Sequence, residues 1–193
     1  MTLPIAAPLR HQAPSPWVMR WAGLIAPGAA VLDLACGGGR HARWLAARGH
    51  PVTAVDRDGA ALAALSMATE NAHGLIERVE ADLENAPWPL PGRRFGGVVV
   101  THYLWRPLMP ALLASVADGG ALIYETFAAG NEAVGKPSRP DFLLRPGELL
   151  AACAGPDWRV VAYEDGFLNA PCRFAQRIAA VRPPHPPAAL DWL

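Results

Sequence analysis

Short apolar runs alternate with helix-like segments along the first two thirds of the chain. Apolar runs of this length are typical of parallel strands that are buried on both faces. The alternation therefore predicts a Rossmann-like, doubly wound α/β fold with a mostly parallel sheet and helices on both faces. The five strands of this part are predicted at 29–35, 51–56, 75–82, 95–104 and 121–127.

The intervening segments have the composition of helices, and the last third of the chain has the pattern of strands. Segments 158–166 and 173–182 are predicted to form an antiparallel pair at the carboxyl end of the sheet. Helices are predicted at 16–25, 40–49, 58–72 and 107–117, with a short one beginning near Pro146.

The length predicts one domain. The chain has 193 residues, and a compact domain holds ~100–200. We expect a single domain over 1–193, with an amino-terminal arm at 1–14, a lid loop at 128–145 and an extended tail at 183–193. Most of the 20 prolines fall in these segments and at 87–91 rather than in the predicted strands. The long irregular stretch after 127 is of the kind that often covers a site.

Charge and cysteine usage exclude several classes of protein. The formal net charge is zero, which argues against nonspecific binding of nucleic acid. Cys36, Cys153 and Cys172 form no CxxC pair, so neither a disulfide framework nor a metal site is predicted. The sequence contains neither a secretory signal pattern nor an apolar run of the ~18 residues that a membrane span needs. The predicted location is the cytoplasm.

A glycine turn follows the first predicted strand, at Gly37–Gly39, and acids end the next two strands, at Asp56 and Asp82. Ligands of doubly wound sheets bind beyond the carboxyl ends of the strands. Glycines allow close approach to the backbone, and an acid about 20 residues further on can accept hydrogen bonds from a ribose diol. The three strand ends predict a pocket for an adenosine-type ligand. The turn alone also fits a tight βα connection without a ligand, or a dinucleotide motif ending at Ala42.

Asp33 lies inside the first predicted strand, four residues before Gly37. A buried acid is costly unless it is paired or hydrogen-bonded. Two interpretations remain open at this point: Asp33 anchors the glycine loop through backbone amides, or it contributes to the binding of a cationic ligand through water.

Four segments in order resemble the class I S-adenosylmethionine-dependent methyltransferases. VLDLACGGGR at 31–40 resembles motif I, and VTAVDRD at 52–58 resembles the ribose-binding segment that follows it. ADLENAPWPL at 81–90 resembles the segment whose acid meets the adenine amine, and VADGGALIYETF at 116–127 resembles the later helix–glycine–strand block. The likeness runs from about Val18 to Val181, and small bacterial enzymes of the tellurite-resistance type are the nearest subgroup.

The resemblance implies a seven-stranded sheet with a reversed last strand, and S-adenosylmethionine as the cofactor, with S-adenosylhomocysteine (SAH) as its product. Asp33 and Gly37 would shape the pocket for the methionine part, Asp56 would bind the ribose, and Asp82 with Leu83 would frame adenine. Ala35 stands where many members have a glycine. The predicted cofactor-binding residues are Asp33, Ala35, Gly37, Gly39, Arg40, Asp56, Arg57, Asp82, Leu83 and Thr101.

The acceptor side is predicted at the ends of the fourth and fifth strands. His102 is a candidate general base, Tyr103 a candidate pocket residue, and Glu125 a candidate for holding a cation or taking a proton. His102 also fits a histidine that only hydrogen-bonds its loop. In the predicted lid, Arg139 and Asp141 are candidates for contact with the acceptor. Convergence of Arg106, Arg139 and Arg145 would favour an anionic acceptor.

The predicted function is methyl transfer from S-adenosylmethionine to a small molecule. An NAD(P)-dependent oxidoreductase and a noncatalytic module that binds an adenosine ligand remain alternatives. Asp33 and the lack of a separate substrate domain disfavour the oxidoreductase.

Overall fold

The computed structural model describes residues 13–67 and 76–186. Most of the predicted amino-terminal arm, the end of the helix predicted at 58–72, and residues 187–193 of the predicted tail lie outside the described residues. The domain bounds therefore stay a prediction.

Five α-helices and seven strands lie within the described residues. None of the helices within 13–67 and 76–186 is long and apolar enough to cross a membrane. In chain order the elements are α1 (Pro16–Trp21), β1 (Val31–Leu34), α2 (Arg40–Ala46), β2 (Val52–Asp56), α3 (Gly59–Met67), β3 (Ile76–Glu80), β4 (Phe95–Thr101), α4 (Met109–Ala114), β5 (Val116–Phe127), α5 (Glu148–Ala152), β6 (Arg159–Asn169) and β7 (Cys172–Val181).

All seven strands form one sheet in the order β3-β2-β1-β4-β5-β7-β6. The pairs from β3 to β5 are parallel, whereas β7 is antiparallel to both β5 and β6. The predicted fold class is confirmed, including the antiparallel pair at the carboxyl end. Strand order reverses between β1 and β4, and ligands of open α/β sheets bind at such a point.

The core lies on both faces of the sheet. Val98 and Val100 of β4 belong to one buried cluster, while Val99 between them belongs to the other. Helices α4 and α5 contribute leucines to the first cluster, and α1, α2 and α3 contribute to the second. Burial on both faces explains why the central strands are apolar runs without alternation of polar residues.

The bounds predicted for the helix at 107–117 are wrong, because the observed helix ends earlier in the sequence. A 3₁₀ turn at Arg106–Leu108 leads into α4, which ends at Ala114, and β5 already begins at Val116. Phe95 pairs with Val116, and its N–H donates to the Ser115 carbonyl at 2.8 Å. The start of β4 therefore draws this segment into the sheet, which local helix propensity does not foresee.

The segment predicted as a lid is fastened to the body of the protein. The Asn131 side chain is buried, donates to the Pro137 carbonyl at 2.9 Å and accepts from the Phe174 N–H at 3.2 Å. Leu144 is fully buried and forms a β-bridge with Ala128. These contacts order the segment against β7, and a lid function for it stays a prediction.

Candidate functional site

The glycine turn after β1 is tied to the end of β2. Gly37 and Gly39 have φ angles of +52° and +69°, a region that glycine adopts without the steric cost of a Cβ. The Gly37 N–H donates to Oδ2 of Asp56 at 2.7 Å, and the Asp58 N–H donates to Oδ1 at 2.9 Å. The Asp56 carboxylate therefore fixes the turn while lone pairs on both oxygens remain free.

Gly39 is the glycine of this turn with the strictest steric requirement. A Cβ there would stand 2.7 Å from the Leu65 side chain, whereas a Cβ at Gly38 meets nothing within 4 Å. Replacing Gly39 with alanine is expected to lower the free energy of unfolding by about 1–3 kcal/mol, through strain and overpacking. Gly38→Ala is the matched control. Equal urea denaturation curves for the two variants would contradict the assignment.

A cleft of about 460 Å³, open to solvent, lies beyond the ends of β1 and β2. The sequence predicts five of its lining residues as cofactor contacts, and predicts Tyr103 on the acceptor side. Ala81 and Glu84 are lining residues that the sequence does not predict. The cleft is lined by Ala35, Asp56, Arg57, Ala81, Asp82, Leu83, Glu84 and Tyr103.

Asp82 lies in this cleft and caps its own loop. Its Oδ1 accepts from the N–H groups of Glu84 and Asn85 at 2.9 and 3.1 Å, and its Oδ2 accepts from the Asn85 side chain at 2.9 Å. The hydrogen bond from the Asn85 side chain is the main reason why the pKa of Asp82 lies below its ordinary value. The carboxylate is thereby kept charged and oriented at the rim of the cleft.

Asp33 is a buried anchor behind the glycine turn. Its side chain is 1% exposed and accepts from the Ala42 N–H at 2.9 Å, which caps the first turn of α2. Burial raises its pKa to about 7. The neighbouring His41 accepts from the Ser15 N–H at 3.1 Å, so α1 and α2 are joined behind the turn. Asp33 therefore anchors the first turn of α2 through a backbone amide, and a role in ligand binding stays a prediction.

A second group of polar residues meets at the ends of β4 and β5. Thr101 pairs with Glu125 in the sheet, and the His102 N–H donates to the Glu125 carbonyl at 3.0 Å. The Glu125 side chain is 2% exposed, and neither carboxylate oxygen accepts a hydrogen bond within the described residues. Arg40 at the start of α2 adds a positive charge near this group. Burial lowers the pKa of Arg40, while the charge of Glu125 raises it and that of Arg173 lowers it.

Arg173 of β7 is a member of this group that the sequence does not predict. Its Nη1 lies 2.5 Å from Nε2 of His102, and its Nη2 lies 3.8 Å from Oε2 of Glu125. Burial, followed by the charges of Arg173 and Arg40, lowers the pKa of His102 to about 4. His102 is therefore neutral at pH 7. The only signal in the sequence is a late strand that carries arginine, and the strand register is what brings it here.

Two of the arginines predicted for the acceptor side have separate partners. Arg106 binds both carboxylate oxygens of Glu148 at 2.7 and 2.8 Å and donates to the carbonyls of Asp141 and Leu143. Arg139 forms an exposed ion pair with Asp141. Arg106 thus fastens the segment before α5, and a role of these residues in acceptor binding stays a prediction.

Residues 31–119, from β1 into β5, match the model of a family described as a methyltransferase domain. The match covers a little less than half of the chain. The resemblance inferred from the sequence is thereby confirmed, and the matched range includes the glycine turn, Asp56 and Asp82. No curated protein matches the chain.

Solved structures share the fold of this chain. TehB from Haemophilus influenzae superposes with a TM-score of 0.71 at 22% identity, over 86% of this chain and 61% of that chain. This chain therefore spans less than two thirds of TehB. An S-adenosylmethionine-dependent methyltransferase from Mesorhizobium loti gives a TM-score of 0.63 at 19% identity, over 84% and 97% of the two chains.

A third structure bears on the cofactor. The glycopeptide N-methyltransferase MtfA complexed with SAH gives a TM-score of 0.58 at 19% identity, over 86% of this chain and 88% of that chain. The match of residues 31–119 to a methyltransferase model agrees with S-adenosylmethionine as the predicted cofactor. The residues present fit such a molecule, because two carboxylates with free lone pairs line the open cleft, and one of them, Asp56, is hydrogen-bonded to the glycine turn.

Proposed function

We propose that this protein transfers a methyl group from S-adenosylmethionine to a small-molecule acceptor. The observation that carries the proposal is the 2.7 Å hydrogen bond from the Gly37 N–H to Asp56. It holds a carboxylate beside the glycine turn and at the wall of the cleft. A ribose diol there would donate to the lone pairs that the two backbone N–H groups leave free.

The remaining contacts follow from the lining of the cleft. Leu83 is 6% exposed and supplies an apolar wall for the adenine ring, with Asp82 at the rim to accept from the adenine amine. The turn at Gly37–Gly39 leads towards Arg40 and Thr101, where the methionine part would lie. The acceptor would then enter near His102 and Glu125.

When bound, S-adenosylmethionine supplies an activated methyl group: the acceptor atom bonds to the methyl carbon, the C–S bond breaks with its electron pair left on sulfur, and SAH leaves. The chain has to position the acceptor and exclude water. Catalysis by positioning needs few indispensable side chains, which agrees with a site built from one glycine turn and scattered polar groups.

Binding of the cofactor can be measured directly. Isothermal titration calorimetry is expected to show that S-adenosylmethionine and SAH bind at least about tenfold more tightly than NADH, a difference of about 1.4 kcal/mol. NADH binding without a response to either sulfur compound would instead support the dinucleotide-dependent oxidoreductase.

Turnover separates an enzyme from a binding module. Small molecules that carry thiol, amine, hydroxyl or carboxylate groups should be screened for acceptor-dependent release of SAH. Tight binding of SAH with no release across all these groups would support the noncatalytic module.

A further inference from the structure

The contact between Arg173 and His102 determines which ring nitrogen of His102 carries the proton. A guanidinium has only N–H donors and accepts no hydrogen bond. Since Nη1 of Arg173 lies 2.5 Å from Nε2 of His102, Nε2 must be the acceptor in this pair. A neutral imidazole has one donor and one acceptor nitrogen, so the proton lies on Nδ1.

Four titratable or charged groups lie near the His102 ring, and two of them are cations that disfavour its protonation. Arg173 faces it from β7 and Arg40 from α2, both as cations, and His41 of α2 also lies within electrostatic range. Glu125 of β5 lies on the far side of Arg173, with 3.8 Å between Nη2 and Oε2. Two cations on one neutral ring disfavour an imidazolium.

The backbone holds the ring at this position. His102 has a φ of +57°, a left-handed conformation that is uncommon for a residue with a side chain. Its N–H is fixed to the Glu125 carbonyl at 3.0 Å, and its ring packs against Phe127 with 5.2 Å between centroids. Such strain persists only where surrounding contacts over-determine the conformation, and it clusters at functional sites.

We propose that Arg173 is a positioning residue that fixes His102 as a hydrogen-bond donor at the acceptor side of the site. The proposal deepens the proposed methyl transfer and rests on it for the location of the acceptor. With Nε2 occupied, His102 offers an N–H from Nδ1 and has no lone pair to take a proton.

This assignment narrows the class of acceptor. A group that meets Nδ1 of His102 must present a lone pair to it, such as a carbonyl, carboxylate or ether oxygen. Any proton that the acceptor loses must go elsewhere. Among the described side chains of this group, Glu125 has the carboxylate oxygens without a hydrogen bond. His102 would therefore orient the acceptor and would not act as its base.

Nuclear magnetic resonance of the protein labelled with ¹⁵N-histidine tests the proposal without cofactor or acceptor. The His102 signals are identified by their loss in His102→Gln. In the wild type at pH 7, Nδ1 should have the shift of a protonated nitrogen and Nε2 that of an acceptor. In Arg173→Met the proton should move to Nε2, and the pKa of His102 should rise by about one unit or more, because a neighbouring positive charge is removed.

Arg94→Met is the matched control, since it removes an arginine whose side chain is exposed and pairs with Asp118 at 3.5 Å. It should leave the His102 signals as in the wild type. A proton on Nε2 in the wild type, or on Nδ1 in Arg173→Met, would overturn the proposal. If Arg173→Met does not fold, the wild-type spectrum alone decides. Calorimetry with SAH is read separately: failure to bind it would refute the methyltransferase and leave the histidine result intact.

Discussion

Replacing Asp56 with alanine is expected to weaken SAH binding by about 100- to 1000-fold. The carboxylate holds Gly37 at 2.7 Å and Asp58 at 2.9 Å through their N–H groups, and it is the acceptor proposed for the ribose diol. Each hydrogen bond to a charged group contributes about 1.5–3 kcal/mol, so loss of the two ribose contacts alone accounts for an effect of this size. Calorimetry with SAH measures it.

Asp58→Asn is the control for the change of charge. Oδ1 of Asp58 accepts from the Ala61 N–H at 3.0 Å at the start of α3, and the asparagine oxygen can keep this cap. Its SAH affinity should stay within about threefold of the wild type, about 0.7 kcal/mol. If Asp56→Ala also stays within threefold while remaining folded, the ribose assignment is wrong.

The elements that position the cleft were predictable because their signals are local. The strands β1 and β2 are apolar runs, and the glycine turn and Asp56 directly follow the ends of these runs in the sequence. Parallel strands place such ends on one edge of a sheet. The hydrogen bond from Gly37 to Asp56 is the direct consequence of that geometry.

The acceptor side depended on contacts between distant parts of the chain. Arg173 reaches His102 across 71 positions of sequence, and the register of β7 against β5 decides that contact. Likewise, Arg106 donates a hydrogen bond to Glu148, which lies 42 positions away in the sequence. Neither partner can be read from residue type or spacing, since long-range pairing fixes them both.

The second large expected effect is a dependence of the free energy of unfolding on pH, which comes from Asp33. Its pKa rises from 3.8 to about 7 on folding because the side chain is buried. Between pH 3.8 and about 7, Asp33 holds a proton in the folded protein and releases it in the unfolded chain. The stabilisation that comes from this proton is therefore complete below pH 3.8 and is lost as the pH rises to about 7. About three pKa units correspond to as much as about 4 kcal/mol.

The variant Asp33→Asn isolates this contribution. The asparagine oxygen can still accept from the Ala42 N–H but does not titrate. The free energy of unfolding of the wild type minus that of the variant, from urea denaturation without cofactor, should therefore fall as the pH rises from about 4 to about 7 and then stay level. A difference that is constant over this range would show that Asp33 is not a buried titrating acid.

His41 provides a control of opposite sign. Burial lowers its pKa from 6.5 to about 3, so the unfolded chain binds more protons in that range and the stabilisation is lost as the pH falls through it. The corresponding difference for His41→Gln should rise with pH between these values. His41 Nδ1 lies 3.9 Å from Oδ1 of Asp33, so each variant is compared with the wild type and not with the other variant. A general effect of pH on the fold would change both stability differences in the same direction. Opposite slopes for Asp33→Asn and His41→Gln would therefore show that the two side chains titrate as described.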